Sequence, residues 1–148
     1  MIPPVSHDDT TLVVRRQFAA SRERVFHAWV TPEALQQWLR PRGMAMTVRS
    51  LDPRVGGSFC FDLENGTSIV GTYLRFDLLE KLIFTWSGTA TREQETIVTV
   101  DFIDLGAATE VILTHEGLTA PERRLLAESG WTSMLGTLGL VLSSSHDL

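Results

Sequence analysis

Cys60 is the only cysteine in the 148-residue chain, so no intrachain disulfide can form and a cysteine-built metal cluster is excluded. Histidine is scarce too. His7, His27, His115 and His146 are scattered, two of them near the ends, and no two have metal-ligand spacing. No metal and no cofactor are therefore expected. Runs of positive charge are also missing: the densest pairs are Arg15-Arg16 and Arg123-Arg124. Thirteen Lys+Arg against eighteen Asp+Glu leave a formal charge of −5, which removes nucleic acid from the expected partners. The glycine signatures of nucleotide loops and of the serine-hydrolase elbow are absent as well. Gly56-Gly57 reads as a hairpin turn.

The first nine residues, MIPPVSHDD, hold no cationic segment followed by an apolar run, so no secretory signal is evident. They read as a flexible tail preceding one domain over residues 10–145. The charge-free stretch Ser129 to Ser145 is short and rich in Gly, Ser and Thr, so membrane insertion is not expected and a cytoplasmic protein is. Apolar residues at 43% and charged residues at 21% are ordinary for a globular domain of this length.

What is present is a clear order of elements. Thr10 to Phe18 is rich in β-branched residues and reads as a strand. Ser21 caps a short helix bearing Val25, Phe26 and Trp29. Thr31-Pro32 starts a second, bearing Leu35, Trp38 and Leu39, which Pro41 and Gly43 end. Six short strands follow: Met46 to Leu51, Ser58 to Leu63, Ser68 to Phe76, Lys81 to Trp86, Glu95 to Ile103 and Thr109 to Glu116. Asn65-Gly66 is the strongest turn signal between them. Thr119 and Glu122 fit a capping box opening a long helix, about Ala120 to Ser143. Trp131, Met134, Leu135, Leu138 and Leu142 recur along it at helical spacing. Seven antiparallel strands with helices on one face make an α+β fold.

Alternation places Phe59 and Phe61, Leu82, Phe84 and Trp86, Val98, Val100 and Phe102, and Val111, Leu113 and His115 on inward faces. His115 thus points inward, whereas Glu116 points the other way. Asp101 and Asp104, near a strand end, are expected to face solvent, and no buried carboxylate pair can be picked out.

Several segments occur together in order: ASRERVFHAW (residues 20–29), PEALQQW (32–38), DPRVGG (52–57), LIFTW (82–86), VTVDF (98–102), TEVILTHEGL (109–118) and Gly130-Trp131. From about residue 11 to 143 the chain resembles the bacterial family named after the C-terminal domain of the activator of heat-shock-protein-90 ATPase. That family belongs to the START-related (SRPBCC) superfamily. The resemblance implies the helix-grip fold of birch-pollen-type allergens: a seven-stranded antiparallel sheet wrapped on a long C-terminal helix, with two short helices after the first strand. It further implies a deep apolar cavity between sheet and helix. The eukaryotic activator carries a further N-terminal domain for which this chain has no room, so chaperone contact is not expected. Fold alone does not choose among superfamily functions.

The expected function is binding of a small hydrophobic molecule in that cavity, its class, aromatic or lipid-like, and any stress-response role left open. The expected lining is Trp38, Phe61, Tyr73, Trp86, His115, Trp131, Leu135 and Leu138. Phe59, Phe84 and Trp29 are assigned to the core. His115 either orients a ligand or is a core histidine satisfied by its neighbours, and the second reading is favoured. An enzyme of the cyclase, aromatase or hydrolase kind, with His115 as acid/base and Tyr73 assisting, is the alternative; a chaperone-associated interaction module is a third. No catalytic residue is assigned, and a homodimer stays open. Gly130, Gly136 and Gly139 within the long helix make room for a ligand, permit close packing, or bend it.

Overall fold

A computed structural model describes residues 10–88 and 94–144. The expected tail at residues 1–9, and with it His7 and His146, lies outside the described residues. Strand β1, Thr11–Phe18, is followed by helices α1, Arg22–Val30, and α2, Pro32–Trp38, and then by a 3-10 turn at Pro41–Gly43. Strands β2 (Met46–Leu51), β3 (Ser58–Leu63), β4 (Ser68–Asp77), β5 (Lys81–Trp86), β6 (Thr96–Asp104) and β7 (Thr109–Glu116) lead to helix α3, Pro121–Ser144. The strands form one antiparallel sheet, as expected, and lie in the order β1-β7-β6-β5-β4-β3-β2.

Local chemistry accounts for most boundaries. The Ser21 hydroxyl accepts from the Arg24 N–H at 3.2 Å and caps α1. Pro32 occupies the first turn of α2, where its missing N–H costs nothing, though the Thr31 side chain makes no capping bond. Asn65-Gly66 turns the chain between β3 and β4, with Gly66 at φ +92°. Gly71 in β4 lies where an added Cβ would collide with the Phe59 ring and the Thr85 carbonyl.

The start of α3 departs from expectation by one residue. Arg123 and Arg124 donate their N–H groups to the Ala120 carbonyl, so Ala120, not Thr119, is the capping position. The Thr119 hydroxyl is taken up by the side chains of Gln94 and Arg123. A capping box needs its hydroxyl at the residue whose carbonyl accepts the first helical bond, and here Pro121 fixes the helix start one residue later.

Helix α3 is 24 residues long, and by length and composition it is apolar enough to cross a membrane; the expectation of too short a stretch counted only its charge-free part. Its apolar face is used by the core instead. Ala127, Trp131, Met134, Leu135, Leu138 and Leu142 are buried on the sheet and on α2. The Arg24 guanidinium bonds the Leu142 carbonyl at 2.7 Å, and Arg124 reaches the Thr11 carbonyl at 3.0 Å. These two ties fix both ends of α3 against α1 and β1.

The four tryptophans form one file through this core. Ring centroids of Trp38 and Trp29 are 4.7 Å apart, those of Trp29 and Trp131 6.1 Å, and those of Trp131 and Trp86 4.9 Å.

Candidate functional site

A cavity of about 270 Å³ opens where β5 and β7 end, beneath the first half of α3. Met44, Leu63, Ile69, Trp86, Trp131 and Met134 make its apolar wall. Alternation in β5 brings Trp86 to the inner face, and the helical stripe brings Trp131 over it. Pro41 and Arg42, in the 3-10 turn after α2, close one side. Across from them α3 presents Leu126, Ser129, Gly130 and Ser133.

Of the eight residues expected to line the site, the structure brings Trp86, His115 and Trp131 to the wall. Trp38, Phe61, Tyr73, Leu135 and Leu138 are buried in the core away from it. Trp38 donates its indole N–H to the Ala28 carbonyl at 2.8 Å and packs on Trp29. Tyr73 meets Phe59, Phe76 and Phe84, and burial pushes its hydroxyl above the ordinary tyrosine range. Phe59, Phe84 and Trp29 are core, as expected.

His115 is held from both sides. The Trp131 indole N–H can only donate, and it donates to Nδ1 at 3.0 Å. Nδ1 is therefore the acceptor and Nε2 carries the proton, which faces the Thr96 hydroxyl at 2.7 Å. That hydroxyl donates in turn to the Trp86 carbonyl at 2.7 Å. The chain of bonds is complete and uses both ring nitrogens. Burial lowers the pKa of His115 from 6.5 to about 4, so the ring is neutral near pH 7. A charged ring would also turn an Nδ1–H toward the indole N–H, donor against donor. Neither nitrogen is left for a ligand or a substrate proton.

Residues 41, 42, 44, 63, 69, 88, 126, 127, 129, 130, 133 and 134 were not expected at the site. Gly130 was the one hint: an added Cβ there meets nothing within 4 Å, so it makes room, whereas Gly139 packs against Arg16 and Phe18. Arg42 carries a second hint, visible only in the backbone. Its φ of +53° is a left-handed conformation that glycine or asparagine adopts more cheaply, by about 1 kcal/mol. Strain of that kind collects at functional positions. Among the described residues, no cluster of His, Cys, Asp or Glu could hold a metal ion.

Residues 19–143 match the family described as "Activator of Hsp90 ATPase homolog 1-like protein". The chain belongs to this family. Solved structures of similar shape include protein CV1439 from Chromobacterium violaceum, 27% identical with a TM-score of 0.77, covering 89% of this chain and 96% of that one. A Rhodobacter sphaeroides protein is 24% identical with a TM-score of 0.79, covering 95% and 96%. An HSP90 activator from Plasmodium falciparum is 22% identical with a TM-score of 0.72, covering 90% and 96%. The last two likenesses speak to fold. No curated protein matches the sequence significantly. Within the activator-like family fold, the cavity lies between the sheet and the C-terminal helix.

Proposed function

We propose that this member of the activator-like family is a cytoplasmic binder of a small apolar molecule, held between the sheet end and the first half of α3. The observation that carries the reading is a cavity of about 270 Å³ walled by Trp86, Trp131, Ile69 and two methionines. That volume lies just under the ~300–1,000 Å³ common for small-molecule sites, and an apolar wall with few polar groups is their usual composition. An acid/base enzyme is less well supported, because His115 has both nitrogens engaged and stays neutral.

The test is calorimetric titration with 2-naphthol, a neutral aromatic probe, against the native protein and Gly130→Phe. One saturable site is expected, weakened at least about tenfold when the new ring fills the space beside Gly130. Binding that is absent, or equal in the two proteins, would overturn the reading.

A further inference from the structure

Among the described residues, the wall of the cavity carries one charged side chain, Arg42, and no carboxylate. We propose that the ligand is a small apolar acid: its body packs on Trp86 and Trp131, and its carboxylate is taken by the Arg42 guanidinium. This rests on the cavity reading and adds the chemical class of the ligand.

Three features support it. First, among the described residues no carboxylate pairs with Arg42. The ion pairs of the described residues engage Arg15, Arg49, Arg54, Arg75 and Lys81, and Arg42 is in none of them. A cation on the wall of an apolar cavity, with none of these ion pairs, favours an anion at that point. Second, the turn bearing Arg42 is braced. The Arg40 guanidinium spends its bonds on the Met44 and Gly43 carbonyls, at 3.3 and 3.5 Å. Arg40 thus serves the backbone while Arg42, exposed and on the wall, remains available. Guanidinium is the side chain whose planar fork matches a carboxylate with two parallel bonds. Third, Arg42 occupies a left-handed backbone position that a glycine would fill with less strain. The turn alone gives no reason for an arginine there.

Ser129 and Ser133, one helical turn apart on the facing wall, add neutral hydroxyls that can share the same anion. The size of the cavity limits the apolar part to a fused aromatic pair or a short branched chain rather than a long acyl tail.

The experiment compares 2-naphthoate with its neutral isostere 2-naphthamide by calorimetry at pH 7, using the native protein, Arg42→Gln and Arg42→Gly. The glycine variant removes the guanidinium at a backbone position that suits glycine, so it keeps the fold. The native protein should bind the acid about five- to tenfold more tightly than the amide. Both variants should lose that preference, the acid losing more affinity than the amide. Equal binding of acid and amide to the native protein, or a preference that persists in both variants, overturns the role of Arg42 and leaves the cavity reading standing. If neither compound binds the native protein, the cavity reading fails and this inference fails with it.

Discussion

Two stretches of the same helix–sheet interface meet different fates. Leu135, Leu138 and Trp38 are fully buried, with Trp38, the last residue of α2, packed on Trp29 of α1. One turn nearer the start of α3, Trp131 and Trp86 face a space of about 270 Å³. The inward phase is the same in both regions. What differs is the cover: two helices close over the first, whereas among the described residues a 3-10 turn borders the second. A cavity in such a fold is therefore set by where covering elements stop, not by which residues point inward.

The comparison is broken most severely at its filled side. Trp38→Ala should cost about 3–5 kcal/mol in urea denaturation, because an indole, its bond to Ala28 and its packing on Trp29 are lost together. A loss below about 2 kcal/mol would mean that the filled region is looser than described.

A smaller effect concerns the open side and is read through pH. The folded-state pKa of His115, about 4, lies below the ordinary 6.5, so the unfolded chain takes up the proton first. Its contribution to stability is complete above pH 6.5 and fades as the pH falls toward 4. The gap is worth about 3 kcal/mol at ~1.36 kcal/mol for each tenfold difference in proton affinity. His115→Gln should flatten that fall between pH 6.5 and 4, measured as the difference between native and variant unfolding curves. Parallel curves through that window would show that the ring is not held neutral.

The smallest effect is a gain. Gly130→Ala should stabilise by up to about 1 kcal/mol, since a helical glycine is replaced and the new methyl meets open space. At Gly139 the same methyl comes within 3.4 Å of the Arg16 guanidinium, so the gain there should be smaller. Equal melting-temperature shifts would erase the distinction between open and packed glycines on α3.

Strand order, helix order and inward phase were legible because they follow from periodicities that local chemistry imposes. Val98, Val100 and Phe102 needed nothing more than alternation to be placed in the core. The site was legible only in part, for the same reason. Periodicity tells which face a residue takes and not how far along the interface the cover extends, so Trp38 and Trp131 looked equivalent. Arg42 was invisible because a Pro-Arg-Gly turn gives no sign that its middle residue will stand at φ +53° on a cavity wall. The saturation of His115 depended on Thr96 and Trp131, residues 19 and 16 positions away whose convergence is tertiary.

The tryptophan file has an optical consequence. With neighbouring rings 4.7, 6.1 and 4.9 Å apart, light absorbed by any of the four indoles can migrate among them before emission. The file begins at Trp38, buried at the end of α2, and ends on the cavity wall at Trp86. A molecule touching only the last ring can therefore dim the emission of the whole set. The protein carries a built-in reporter whose antenna is buried and whose tip is exposed to whatever enters.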